Sequence, residues 1–308
     1  MIYLSGEEAK KFHTSKTAIA LGKFDGIHLG HQLLLDGLRQ EHKKGLQSLV
    51  FTFGSAPNDV IKGAQQKTIY TREEKVYYFS KLGMDILLEY PFTKEFASLT
   101  PEDFVAELLV KQLGVHSVYV GSDYHFGRGR SGNVALLKSL GEQYHFDVNV
   151  INKKTIYGKI ISSTTIRDML ESHFSTANDM LGSPYFVYGT VVHGNHLGHT
   201  IGFPTINQVI PNEKLTPAFG AYASRVLIDG CYYKGISNLG NKPTIKGNHQ
   251  VGLETYILDY QGDLYGKTLQ TELLFFLRPE EKFPSIDALK KQIQDDIAIM
   301  LEQEAFEK

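Results

Sequence analysis

The sequence predicts an α/β protein in two parts: a doubly wound, mostly parallel sheet over residues 1–182, then an antiparallel β-barrel or sandwich over 183–308 that ends in a helix. Three observations carry this. Apolar β-rich runs alternate with helical patterns through the first part, the order that builds a parallel sheet covered by helices. The run Thr17–Leu21, the helical stretch after it and Ser48–Phe53 form a strand-helix-strand crossover, right-handed in nearly all proteins. After Leu181-Gly182-Ser183-Pro184 the helical periodicity gives way to short β-rich runs divided by glycine-bearing turns.

In chain order, the opening MIYLSGEEAKKFH lacks the apolar run of a signal peptide. TAIAL (17–21) leads through a glycine-bearing loop into a helix over Gln32–Lys44, whose Leu33, Leu34, Leu35 and Leu38 mark the apolar face and which Gly45 stops. SLVFTF is the next strand. Thr71 and Glu74 then form a capping-box pattern at the head of a helix that closes at Gly83. DILLEY is a strand, Thr100-Pro101-Glu102 starts a helix over 102–113, and VHSVYVG and FDVNVIN are further strands. Ser162, Ser163 and Thr164 begin another helix. In the second part YFVYGTVV, YASRVLI, YYKGISNLG, LETYILDY and TLQTELLFFL read as strands, and Ile286–Ala305 as a helix with Leu289, Ile293, Ile297 and Leu301 at four-residue spacing.

Ligands of doubly wound sheets sit beyond the carboxyl ends of the strands, so chemistry is sought in the loops that follow them. The first, GKFDGIHLGHQ (22–32), packs glycines and two histidines against a helix start, where backbone approaches an anion closely and the helix dipole favours negative charge. His28 and His31 can turn both imidazoles to one phosphoryl group, or they merely cap the helix. Gly121–Asn133 combines Asp123 with Arg128 and Arg130, guanidinium being suited to phosphate. At ISSTTIR, hydroxyls and unpaired backbone N–H groups form an anion site. Arg167 opposes the helix dipole there at a cost of roughly 0.3–1 kcal/mol that a bound phosphate would offset. In the second part Gly194, Gly198 and Gly202 recur every four residues ahead of Pro204, a spacing suited to a loop over phosphates. Thr205 and Asn207 then alternate to one face of an extended segment, with hard oxygen donors that suit magnesium. Glu254, in an alternating strand, would accept a proton from an alcohol if it lines a pocket.

Together these stretches resemble the bifunctional riboflavin kinase and FAD synthetase (FMN adenylyltransferase) family of bacteria over essentially the whole chain. The likeness rests on GKFDGIHLGH, TREEKVYYFSKLGMD, VGSDYHFGRGRSGN and ISSTTIR, then on GFPTIN, FGAYAS, ISNLGNKPT, LETYILDYQGDLYG and FLRPEEKF. It implies a Rossmann-like nucleotidyltransferase domain joined to a riboflavin kinase barrel, both using ATP and Mg2+. Riboflavin would be phosphorylated to FMN, and FMN adenylylated to FAD with release of pyrophosphate. The resemblance places Gly22, Phe24, Asp25, His28 and His31 around ATP phosphates, with Ser163, Thr164 and Arg167 closing over the triphosphate and Asp123 in the flavin and metal region. In the barrel it assigns Thr205 and Asn207 to magnesium and nucleotide, Glu254 to the general base, and Arg278 and Phe283 to the flavin side. Two departures stand out. Phe53-Gly54-Ser55-Ala56-Pro57 replaces the usual Phe-x-Pro-His-Pro, and His199 stands where arginine is common.

A net charge of -2 favours neither nucleic acid nor a membrane surface, and a single cysteine, Cys231, excludes an intrachain disulfide and a cysteine-based zinc cluster. With no stretch of membrane-spanning length, a cytoplasmic enzyme of riboflavin, FMN, FAD and ATP is the expectation; nothing in the sequence fixes its oligomeric state. Two alternatives stand beside it: a kinase whose adenylyltransferase half is impaired, and a non-catalytic flavin-sensing or RNA-binding regulator.

Overall fold

Six parallel strands form the sheet of the first half: β1 (Ile2–Ser5), β2 (Thr17–Leu21), β3 (Gln47–Phe53), β4 (Ile86–Tyr90), β5 (Val115–Gly121) and β8 (Asp147–Ile151), in the order β1-β4-β3-β2-β5-β8. Between β5 and β8 lies a small antiparallel pair, β6 (His125–Phe126) with β7 (Gly132–Asn133), and after β8 a second, β9 (Thr155–Ile156) with β10 (Lys159–Ile160). This computed structural model describes residues 1–54, 66–194, 201–243 and 249–303, and the chain divides into two compact units, Met1–Ser163 and Thr164–Lys308.

The central strands are mostly buried because helices cover both faces of a parallel sheet. All five residues of β2 are buried, and Ile19, Leu21, Leu49, Phe51, Ile86 and Leu88 share one core with Val118 and Val120. Helices of this half include α1 (Gly6–Lys11), α2 (Leu29–Lys43), α3 (Arg72–Lys81) and α4 (Val134–Tyr144). Thr71 caps α3 reciprocally with Glu74, as its sequence predicts. β1 and α1 were not anticipated. β1 is an edge strand whose residues are exposed or half-buried, so it lacks the apolar run by which its neighbours are recognised.

The helix expected over 102–113 is one α turn, Pro101–Asp103, followed by a π-helix, Phe104–Gln112, in which the Leu113 N–H reaches back five residues to the Leu108 carbonyl. Phe104 with Leu109, and Leu108 with Leu113, are buried pairs five apart, and the wider π turn keeps both on the face toward the sheet.

In the second unit α5 (Ser163–Ser172, which begins at the last residue of the first unit) and α6 (Phe174–Leu181) precede a closed barrel. Its strands are β11 (Tyr185–Val192), β12 (Thr205–Val209), β13 (Gly220–Ile228), β14 (Cys231–Pro243), β15 (His249–Ile257) and β16 (Thr268–Pro279), all antiparallel, in the order β11-β12-β15-β14-β13-β16. The choice between barrel and sandwich is settled by β12, the short strand after the glycine loop, which joins β11 to β15. Asn178 fastens α6 to the barrel: its amide donates to the Leu273 and Leu274 carbonyls and accepts from the Tyr185 N–H.

The terminal helix α7 (Ile286–Glu302) has Ser285 as N-cap. Its buried face differs from the expected one. Asp296 and Met300 are buried and Ile297 packs on the barrel core, but Leu301 is 54% exposed. A four-residue spacing gains on a 3.6-residue turn at every step, so the last member of the series has rotated out to solvent.

Candidate active sites

The strand order of the first unit reverses between β2 and β5, since β3, β4 and β1 extend to one side and β8 to the other. A crevice beyond the carboxyl ends of β2 and β5 is where doubly wound sheets bind ligands. The loops that follow these two strands are among those singled out in the sequence.

The loop after β2 is tightly built. Gly22 N–H donates to the Phe51 carbonyl, and the Phe24 ring is fully buried, edge-on to Phe79 and 4.9 Å from the His31 ring. Phe24 (φ 49°) and Ile27 (φ 42°) lie in the left-handed region, which for a β-branched residue marks a site held by its surroundings. Gln32 Nε2 donates to the Ile27 carbonyl at 3.1 Å. Asp25, 3% exposed, accepts the Ile69 N–H at 2.8 Å, and its own carbonyl accepts from Ser163 Oγ at 2.8 Å. Asp25 and Ser163 thus brace the loop. Thr164 and Arg167 continue along α5 in the second unit.

His28 is the N-cap of α2, its Nδ1 accepting the His31 N–H at 3.3 Å, which leaves Nε2 to carry the proton of the neutral ring. The two imidazoles stack with centroids 3.7 Å apart and 15° between planes. His31 Nδ1 is buried without a hydrogen-bond partner. Burial pushes the His28 imidazole down to about 4, against the opposing pull of Asp25, and burial together with neighbouring His28 holds His31 well below its ordinary value. Both rings are therefore neutral donors at physiological pH, and a helix start with aligned N–H groups supplies the positive potential instead.

A consequence for stability follows. Between pH 6.5 and about 4 the unfolded chain binds a proton that folded His28 refuses, so stability falls as pH drops through that window and the dependence ends below it. His28→Asn keeps an N-cap acceptor and removes the titration. Urea unfolding across this range is expected to show a shallower acid dependence for the variant, by up to about 1.4 kcal/mol per pH unit.

Asp123, after β5, is mostly exposed and paired with Lys153 at 2.7 Å, and that hydrogen bond holds its carboxyl below the usual range. Arg128 and Arg130 are exposed on the same loop. Lys153 carried no motif in the sequence; only proximity in the fold reveals it.

In the barrel, Asn207 is 6% exposed and lies directly across from Glu254 of β15, while Thr205, two residues earlier on the same face of β12, lies across from Tyr256. A Cβ on Gly194 would collide with the Asn207 side chain, so the glycine allows the loop after β11 to approach that amide. Gly202 precedes β12 with φ 85°. Gly198 and His199, like Ser55, Ala56 and Pro57, lie outside the described residues. Among the described residues no group of three His, Cys, Asp or Glu could hold a metal. The Thr205 hydroxyl and the Asn207 carbonyl are oxygen donors of the kind magnesium accepts alongside phosphate and water, so the donor set fits that ion.

Arg278 lies near the end of β16. Its guanidinium grips Asp296 of α7 through Nε (3.1 Å to each carboxylate oxygen) and Nη2 (3.0 Å), with the Phe283 ring 5.3 Å away.

A parallel sheet with a histidine-bearing loop and helix start at its reversal point, joined to a barrel with a glycine-lined carboxylate and amide, fits a two-domain transferase that handles nucleotide phosphates. Comparison with known proteins narrows the class. The FAD synthetase family model matches residues 10–165 and the riboflavin kinase model residues 181–303. The chain is 39% identical over 282 residues to the bifunctional riboflavin kinase/FMN adenylyltransferase of Escherichia coli K12, covering 90% of each, and 36% identical over 282 residues to that of Listeria monocytogenes, covering 90% of this chain and 89% of the relative. A crystal structure from Streptococcus pneumoniae, named a macrolide-efflux protein, superposes with a TM-score of 0.82 at 30% identity, covering 98% of this chain and all of that one. That name belongs to the pneumococcal protein; here no described helix is long and apolar enough to cross a membrane. The chain belongs to the bifunctional riboflavin kinase/FMN adenylyltransferase family, and both transferase domains are present.

Proposed function

We propose that residues 183–308 transfer the γ-phosphoryl group of ATP to riboflavin, and that residues 1–182 then join the FMN so formed to the AMP part of a second ATP. The observation that supports this best is that one chain carries two separate polar sites suited to phosphate, the stacked histidines at the start of α2 and the Asn207–Glu254 pair in the barrel.

In the kinase half Glu254 takes the proton of the terminal ribityl hydroxyl as its oxygen bonds to the γ-phosphorus and the bond to the ADP oxygen breaks. Thr205, Asn207 and the loop of Gly194, Gly198 and Gly202 hold the nucleotide phosphates. Mg2+, where bound by Thr205 and Asn207, offsets charge on the phosphate oxygens.

In the adenylyltransferase half a phosphate oxygen of FMN attacks the α-phosphorus and pyrophosphate leaves. No covalent enzyme intermediate is needed; placement and charge neutralisation suffice. His28 and His31 donate to the triphosphate from neutral rings, with Gly22 and Phe24 shaping the loop and Asp25 and Ser163 holding it. Thr164 and Arg167 close over the phosphates, and Asp123 receives the flavin side, exchanging Lys153 for a ligand group. Arg278 and Phe283 bind on the flavin side of the kinase.

The lone cysteine fits a reducing cytoplasm, and the charge balance fits small anionic substrates better than nucleic acid or a membrane surface. Incubation with riboflavin, ATP and magnesium, followed by chromatography, is expected to yield FMN first and FAD second. Unchanged riboflavin would overturn the kinase assignment, and supplied FMN that gives no FAD would overturn the adenylyltransferase one.

A further inference from the structure

A buried cation of α3 faces the histidine loop. The Ile69 N–H donates to the Asp25 carboxylate at 2.8 Å, and two residues on Thr71 caps α3, so the loop is tied to the entrance of that helix. Lys75, whose N–H donates to the Thr71 carbonyl at 2.9 Å, and Phe79 lie four apart on one face of α3. Phe79 packs edge-on against Phe24, which puts Lys75 on the face toward Asp25. Lys75 is 9% exposed and Asp25 3%. Burial lowers the Lys75 ammonium from its ordinary pKa, Glu89 and Asp25 hold it up, and Arg72 and Lys23 push it down.

The two carboxylates differ in what else answers their charge. Glu89 has a cation of its own in Arg72, at 2.9 Å. Near Asp25 the other lysine, Lys23, is exposed, and water and salt screen it. Lys75 is therefore the buried positive charge that offsets Asp25. The balance matters because Asp25 lies three residues before His28, the helix start to which a triphosphate is assigned. An uncompensated buried carboxylate there would repel the phosphates, and the neutral rings of His28 and His31 carry no charge to oppose it.

We propose that Lys75 is a positioning residue of the adenylyltransferase site: its ammonium cancels the buried charge of Asp25, so that the neutral histidine loop accepts a nucleoside triphosphate. It acts through Asp25, without touching the nucleotide. The inference rests on the assignment of that loop to ATP made above.

Lys75→Met and Lys75→Gln remove the charge, and Lys75→Arg keeps it. In all three Arg72 still pairs with Glu89 and Ile69 still holds Asp25, so the fold should be retained. Steady-state kinetics of FAD formation from supplied FMN are measured on the full chain, with FMN formation from riboflavin as control. Bound ATP and the transition state feel the repulsion alike, and a uniform loss of binding raises KM without lowering kcat. The ATP KM is expected to rise about tenfold in both neutral variants, with kcat within about threefold, and to stay near the original value in Lys75→Arg. The His28 ring gives a second readout, since Asp25 favours its protonated form and Lys75 opposes Asp25. At pH 5 its NMR signal, assigned by its loss in His28→Asn, should pass from about a tenth protonated to about a quarter or more in the neutral variants. An unchanged ATP KM in those variants overturns the proposal. So does an equal rise in Lys75→Arg, which would make shape the cause, or a raised KM with the His28 signal unmoved. Absence of FAD formation in the unsubstituted protein would overturn the adenylyltransferase reading and this inference with it, an outcome that no set of KM values mimics.

Discussion

Glu254→Gln should reduce the rate of FMN formation by about 10²–10⁴-fold, the range that a positioned general base contributes. Glutamine fills the same volume on β15, so the barrel should fold and ATP should still bind. What is lost is the acceptor for the ribityl proton. FAD formation from supplied FMN should be unaffected, since the histidine loop belongs to the other unit. The paired measurement, riboflavin to FMN and FMN to FAD on one preparation, separates loss of the base from loss of fold. A parallel decline of both rates would contradict the assignment.

His28→Ala should do the converse, slowing FAD formation by about 10²–10³-fold, as removal of one preorganised donor to a developing charge does. Two effects combine here. The α2 N-cap is lost, at a cost of about 1 kcal/mol, and His31 loses the ring stacked against it at 3.7 Å. His28→Asn restores the cap without the imidazole, so the difference between the two variants isolates the donor. FMN formation serves as the internal control. An Asn variant with full activity would reduce His28 to a helix cap, the bland alternative that its position also allows.

Much of this was legible in the sequence because the relevant relations are short-range. His28 and His31 lie within one helical turn, Thr71 and Glu74 within one capping box, and Thr205 and Asn207 two apart on a strand, so each pair is fixed by local periodicity. Relations that depend on register or on a distant helix were not legible. Arg278 has the chemistry of a phosphate or flavin ligand, but its partner is Asp296, 18 residues away on α7. Asn238 and Glu280, separated by 42 residues, meet only because β14, β13 and β16 are adjacent. The brace from Asp25 to Ile69 crosses 44 residues. Asp25 has the residue type of a ligand, and in the fold its carboxylate ties the loop to Ile69.

Closure of the barrel has a bearing on how the kinase residues can drift. β12 is short, and a slip of one residue along either neighbour would turn Thr205 and Asn207 away and present Ile206 and Gln208 in their place. With β11 on one side and β15 on the other, such a slip must break two ladders together. Fidelity of the phosphate-binding pair is thus enforced by topology, and loop sequences around it are left at liberty to vary.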